Sequence, residues 1–199
     1  MIQRVITTVI MAAQVILLAI ELVTKYDTNG RQLALALTNV VTVGLYLAVG
    51  RIAHRRYGIT LHWVVLVIIA ASVWLDALGN FQHWYAQYWW WDRLTHAIGG
   101  LAVTVGFYMV TVALWYARRL AMSWRVLNLY TFCLAQTLGA LYEVSEWIGD
   151  ELFDTHRVQG LFDAQRDIFF NMLGGILVLL VGSWWRMRRR VVNPSQDAR

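Results

Sequence analysis

The sequence predicts an all-α membrane protein, a polytopic bundle of six transmembrane helices. Three observations lead there. The 199 residues are 59% hydrophobic and only 15% charged, with a mean hydropathy of +0.50, whereas soluble domains sit near half apolar and a quarter charged. The apolar residues gather into six runs, each close to the ~20 residues an α-helix needs to cross a bilayer core. The single proline, Pro194, lies beyond the last run, so no run is broken by a ring.

The first run, 4–24, is longer than a signal peptide's apolar core and lacks a small-residue cleavage site, so it reads as a retained helix. The others are predicted at 33–52, 61–81, 93–116, 126–148 and 167–186. Connections are short except 82–92 and 149–166. The chain 1–199 reads as one integral membrane domain, with a flexible cytoplasmic tail over 187–199. With six spans, 12 of the 17 Lys and Arg residues fall on the side of the termini, including Arg51, Arg55, Arg56, Arg118, Arg119 and Arg186. The positive-inside rule therefore predicts a multi-pass inner-membrane protein with both termini cytoplasmic. Trp63, Trp115, Trp124, Trp184 and Trp185 would form an inner aromatic belt, and Trp84, Trp89, Trp90, Trp91 and Trp147 an outer one. The net charge of +5 does not point to nucleic acid, because the basic residues flank apolar runs. One cysteine, Cys133, excludes an internal disulfide and any Cys-based metal cluster.

The acids are distributed more unevenly still. Of 12 Asp and Glu, only Asp197 falls on the cytoplasmic side. Acids do little to set topology, so this bias asks for another cause. Asp92 and His96 are four apart and share a helix face. Glu143 and Glu146 are three apart. Asp163, Asp167 and Asn171 repeat every four, and Asp76, Asn80 and His83 are spaced four and three. Asp76 and Glu143 would lie roughly 20–25 Å from the inner edge of the hydrocarbon. Ionisable groups at such depth are costly unless paired, and mark functional sites by default.

Two stretches read as copies: "WWWDRLTHAIGG" (89–100) and "RDIFFNMLGGIL" (166–177). Asp92 aligns with Asp167, His96 with Asn171, and Gly99-Gly100 with Gly174-Gly175. The third and fourth helices thus form one hairpin and the fifth and sixth another, in a parallel repeat. Small residues let helix backbones approach closely, so the fourth and sixth helices are predicted to cross at the paired glycines. That crossing would bring Asp92 and His96 beside Asp167 and Asn171, with Glu143 and Glu146 added by the fifth helix and Asp76 by the third.

Several carboxylates with an imidazole suit a divalent cation such as Mg²⁺, Mn²⁺ or Zn²⁺. They also suit coupled carboxylates sharing acid and base roles. Plainer readings stand beside these. Asp92 and Asp167 open helices here, where an Asp caps free N–H groups. His96 could hydrogen-bond a carbonyl across a helix pair. Glu143 and Glu146 could be held by Arg93 or Arg166. Asp150, Glu151 and Asp154 read as a solvated loop.

"WWWDRLTH", "LYEVSEW" and "QGLFDAQRDIFFNMLGG" resemble, in that order, segments of the YjdF-like family of small bacterial inner-membrane proteins. More distantly they resemble VanZ-type membrane proteins. The resemblance covers about 70–173 and implies a membrane location without an established reaction. It points to Asp92, His96, Glu143, Glu146, Gln159, Gly160, Asp163, Gln165 and Asp167. The family's pattern often has a Gln before the glycine that follows the His, where this chain has Gly99.

The expectation is an outward-facing carboxylate and histidine pocket. It would belong to a metal-assisted enzyme acting on a membrane lipid or a lipid-linked phosphate. Asp92, His96, Asp163 and Asp167 would bind the cation, and Glu143 or Glu146 would serve as general base. Asp76, Asn80, Gln159, Gln165 and Asn171 would complete the pocket. The alternatives are a cation-coupled transporter of a small molecule and a non-catalytic binding or assembly factor.

Overall fold

A computed structural model describes residues 2–26 and 28–192. Among these the regular structure is all helical, in seven helices: α1 (Ile2–Val23), α2 (Asn29–Tyr57), α3 (Trp63–Phe81), α4 (Trp84–Gln87), α5 (Trp91–Tyr116), α6 (Trp124–Phe153) and α7 (Asp163–Val192). Five of them, α1, α2, α3, α5 and α7, are long and apolar enough to cross a membrane. The sixth long helix, α6, falls short on apolarity because Asn128, Gln136, Glu143 and Glu146 interrupt its hydrophobic run. Large apolar side chains on the outside, such as Val9, Leu129 and Leu180, are more than 60% exposed. An apolar exterior of this kind suits a hydrocarbon surround rather than water.

The helix ends differ from expectation in informative ways. Helix α2 extends to Tyr57 and closes on Gly58, whose left-handed φ of 66° lets its N–H reach the Ala53 and His54 carbonyls. Helix α6 continues to Phe153, and α7 begins at Asp163 and runs through Val192. The expected 18-residue connection therefore shrinks to 154–162, and residues 187–192 of the expected tail are helical. Residues 193–199, with Pro194, Asp197 and Arg199, lie outside the described residues, as does Asp27. One short helix, α4, sits inside the connection expected at 82–92.

The helices alternate in direction. One end of the bundle gathers the start of α2, α5 and α7 and the close of α1, α3 and α6. There Thr28 donates to the Asp154 carbonyl at 2.6 Å, and Arg31 to the Asn80 side chain at 2.9 Å. At the opposite end Asn128 donates to Ser183 at 2.8 Å, and the Arg186 guanidinium lies over both Trp115 and Trp124.

Helices α5 and α7 form the most extensive interface. It is a backbone seam made by the paired glycines. A Cβ on Gly100 would stand 2.6 Å from the Asn171 Cα and closer still to its carbonyl oxygen. A Cβ on Gly174 would collide with the Ala97 carbonyl and stand 2.7 Å from the Leu101 nitrogen. The predicted crossing is therefore found. Helix α3 is held against α5 by a different device. Trp91, expected in an outer belt, is buried and wedges its indole over Gly79 beside Tyr85.

Candidate metal centre and its chamber

The seam at Gly100 and Gly174 fixes what lies one to two turns nearer the α5 and α7 N-termini. His96 precedes Gly100 by one turn and faces α7, where Asp167 precedes Gly174 by two. The His96 Nε2 lies 3.5 Å from Asp92 Oδ1 and 3.6 Å from Asp167 Oδ1. Its Nδ1 lies 3.4 Å from Glu143 Oε1 on α6. One ligand atom each from Asp92, His96 and Asp167 falls within 4.8 Å of the others. Asp167 is 1% exposed, and its Oδ1 has no hydrogen-bond partner among the described residues. A carboxylate oxygen buried without a donor is expensive, and its position against an imidazole nitrogen suits a shared cation.

The distances favour the same reading. Ligand bonds of about 2.1 Å arranged tetrahedrally place ligand atoms roughly 3.4 Å apart, close to the 3.5 and 3.6 Å separations here. The imidazole is oriented for it. With Nε2 toward the two aspartates, Nδ1 faces Glu143 Oε1 at 3.4 Å without a hydrogen bond, on the side where a carboxylate commonly aligns metal-binding imidazoles.

A small chamber of about 20 Å³ opens beside this group, room for about one water molecule or ion. Asp92 and His96 of α5 and Asp163 and Asp167 of α7 line one side. Asp76 and Asn80 of α3, Glu146 of α6, Arg31 and Arg157 line the other, with Tyr85 and Gln159. A larger vestibule of about 150 Å³ shares Tyr85, Asp92, Gln159 and Asp163 with the chamber and adds Trp89, Arg93 and Arg166.

Three chamber residues, Arg31, Tyr85 and Arg157, were not expected there, chief among them Arg157. It lies in the α6–α7 loop with its side chain 13% exposed. Its Nε donates to Glu146 and an NH2 donates to the Tyr142 hydroxyl, both at 2.7 Å, while Asp76 lies 3.5 Å away. Burial disfavours its charge, but Glu146 above all, with Tyr142 and Asp76, holds the guanidinium firmly protonated. The expected partners of the glutamate pair, Arg93 and Arg166, lie elsewhere. Arg93 lies over the Trp89 ring at 4.5 Å, and the Arg166 Nε donates to the Phe162 carbonyl. Helical spacing cannot reveal that a loop arginine folds inward.

The loop is shaped by Asp150, which was expected to be solvated. Its carboxylate accepts from the Thr155 hydroxyl and from the backbone N–H groups of Arg157 and Val158, the last two at 2.8 Å. Burial pushes this carboxyl up, yet those donors together hold it below its ordinary value. Tyr85, on α4, donates to Asp76 at 2.8 Å, and Asn80 donates to the same oxygen at 3.0 Å. Burial first, and the Asp76 charge next, push the Tyr85 phenol well up, so it remains a donor.

The remaining expectations divide. Asn171 is buried in the seam, its side chain against Gly139 and Gly99, and does not line the chamber. Gln165 and His83 are exposed and also lie outside it. Asp167 is the fifth residue of α7 and caps nothing, and Asp92 makes no side-chain cap bond. Glu143 sits behind His96 rather than on the chamber wall. A second buried polar group, Gln14, Glu21 and Asn39, joins α1 to α2, with Asn39 donating to Glu21 at 3.2 Å. Its seven-residue spacing on α1 is legible in the sequence but was not singled out.

A model of a family described as predicted membrane protein (DUF2238) matches residues 5–188. The chain belongs to that family. This makes it an integral membrane protein with several transmembrane helices, as its composition indicated. An uncharacterized protein of Thermotoga maritima is 26% identical over 113 residues, which cover 54% of this chain and 56% of that relative. The chain thus spans little more than half the length of this curated relative. No solved structure matches the chain. The likeness to VanZ-type proteins draws no support from these matches.

Proposed function

We propose that this protein is a divalent-metal-dependent inner-membrane enzyme acting on the phosphoryl group of a lipid or lipid-linked substrate. Asp92, His96 and Asp167 would hold the cation, whereas Asp163, expected as a fourth ligand, stands outside this group with its Oδ2 accepting from the Gln159 N–H. The observation that carries the reading is the unpartnered, buried Asp167 Oδ1 facing the same imidazole nitrogen as Asp92. Zn²⁺ or Mn²⁺ fits this mixed oxygen and nitrogen set better than Mg²⁺, which prefers oxygen ligands and retains water. Glu143 would orient His96, and Glu146 would anchor Arg157. The acid–base part, first assigned to that pair, passes to Asp163, which lines both cavities and lies beside the metal group. In a hydrolysis, the cation would polarise a phosphoryl oxygen. A water oxygen would bond to phosphorus as the P–O ester bond breaks. Asp163 would take the water proton and return it to the leaving alcohol oxygen.

Six crossings fit this reading. Helix α6, about 45 Å long at 1.5 Å per residue, would supply the sixth span over 126–148, its polar residues facing the bundle. Both termini would then be cytoplasmic and the chamber would face outward, as the arginine bias predicts. The two copied segments meet at the seam, in keeping with a parallel hairpin repeat, and the motif likeness to YjdF-like proteins accords with the family match. Backbone contact at Gly100 and Gly174 closes the α5–α7 interface beneath the metal group, which favours an enzyme over a carrier needing access from both sides.

The test is turnover. Purified protein in micelles with Mn²⁺ or Zn²⁺ should release phosphate from a diacylglycerol phosphate or a polyprenyl phosphate. Asp163→Asn should lose this activity while retaining the cation. Cation binding without turnover of either substrate would favour the binding-factor alternative.

A further inference from the structure

The arginines that do not hold the acidic pair have a place of their own. Arg93 and Arg166 both line the vestibule, within the first turn of α5 and of α7. Neither makes a salt bridge among the described residues. Arg93 rests on the Trp89 ring, and Arg166 commits only its Nε, to the Phe162 carbonyl at 3.1 Å. Arg157, by contrast, is already bound to Glu146 and Tyr142. Arg93 and Arg166 thus line one concave space of about 150 Å³, and no hydrogen bond from the NH1 or NH2 of either is found among the described residues.

The geometry points to a phosphate-binding clamp formed by Arg93 and Arg166, which receives the phosphomonoester headgroup of a lipid above the metal centre. Guanidinium forks match phosphate oxygens bidentately, and the N-terminal ends of two helices favour an anion in the same place. Asp92 and Asp163 line the vestibule too, and a cation at the chamber offsets their charge. The rim argues for a lipid source. Trp89, in the vestibule wall, is 76% exposed, and Leu161 and Phe162, in the segment between the lining residues Gln159 and Asp163, are exposed too, an apolar margin on which acyl chains can lie while the headgroup enters. The clamp rests on the reading of the chamber as a place where a phosphoryl group is handled. It adds which residues choose the substrate.

The experiment uses the full chain carrying Asp163→Asn, which keeps the cation without turnover, in neutral detergent micelles with Mn²⁺. Dihexanoyl phosphatidate, inorganic phosphate and dihexanoyl phosphatidylcholine are titrated calorimetrically. Phosphatidate should bind at least tenfold tighter than phosphatidylcholine. R93Q and R166Q should each weaken it at least tenfold while Mn²⁺ affinity and thermal stability stay unchanged, and R93K should recover part of the loss. Inorganic phosphate binding weakly, yet with the same arginine dependence, supports a lipid headgroup. Inorganic phosphate binding as tightly as phosphatidate would overturn the lipid source. Phosphatidate affinity indifferent to both arginines overturns the clamp, even if Mn²⁺ still binds and the chamber reading stands. Arginine-dependent anion binding in a protein that takes no Mn²⁺ sinks the chamber reading and leaves the clamp standing.

Discussion

Gly174→Ala and Gly100→Ala should loosen the protein at one seam and spoil the cation site without touching a ligand. A Cβ on Gly100 would stand 2.6 Å from the Asn171 Cα, while carbon atoms settle at about 3.5–4.0 Å. Helices α5 and α7 must therefore part by about 1 Å. Overpacking of this kind costs about 1–3 kcal/mol, of which roughly 1 kcal/mol returns because Ala favours a helix over Gly. For a chain of this size each kcal/mol shifts the melting temperature by about 2–4 °C, so each variant should melt roughly 0–8 °C below the native protein in micelles, and roughly 2–12 °C below a glycine-to-alanine control that gains the same helix term. The same displacement exceeds the ~0.2 Å tolerance of metal–ligand distances. Because Asp167 comes from one helix and Asp92 and His96 from the other, cation affinity should fall at least tenfold. Gly99 and Gly106 supply the controls, since a Cβ there meets nothing closer than 3.9 Å. Equal melting temperatures and cation affinities for G100A and G99A would refute the seam.

Arg157→Gln leaves the buried Glu146 without its cation, a loss of about 3–5 kcal/mol that thermal unfolding should register as a drop of roughly 6–20 °C. Arg157→Lys should recover little, because one ammonium cannot reproduce separate 2.7 Å bonds to Glu146 and Tyr142; full recovery by lysine would contradict that geometry. Asp150, beyond the proposed span 126–148, has its folded-state value depressed by the loop's donors. Its contribution is therefore present above the ordinary carboxylate value and lost as pH falls through the depressed one. Limited proteolysis within 154–162 should stay slow at neutral pH and accelerate in acid, and Asp150→Asn should be cut readily at neutral pH; protection unaffected by either change would exclude this role. Tyr85→Phe removes a donor 2.8 Å from Asp76 and should cost about 1–3 kcal/mol in thermal unfolding, with Mn²⁺ affinity unchanged; an unaltered melting temperature would mean that bond contributes nothing.

Much of this architecture is legible in the chain because membrane crossing imposes length and apolarity on local sequence. The five apolar helices follow from that alone, and the glycine pairs announced the α5–α7 seam through spacing. Asp92, His96 and Asp167 converge as their shared faces required. What escaped is what local periodicity does not encode. Helices α2, α6 and α7 run past their apolar cores, because a polar end continues the helix without continuing the hydrophobic signal. Arg157 escapes, since a loop residue has no helical face to assign it. Trp91 was read as a belt residue by its company, whereas Gly79, twelve positions earlier, makes room to bury it. Glu143 and Glu146 looked like a working pair, yet three positions along a helix turned them toward different partners, His96 and Arg157.

The measurement that bears most directly on the account is pulsed electron paramagnetic resonance of Mn²⁺ titrated into the purified protein. The account predicts one tightly bound Mn²⁺ per chain with hyperfine coupling to a single imidazole nitrogen. His96→Gln should abolish the coupling, and Asp167→Asn should weaken binding at least tenfold with the protein still folded. A folded protein that binds no Mn²⁺ or Zn²⁺, or Mn²⁺ bound without nitrogen coupling, would contradict it.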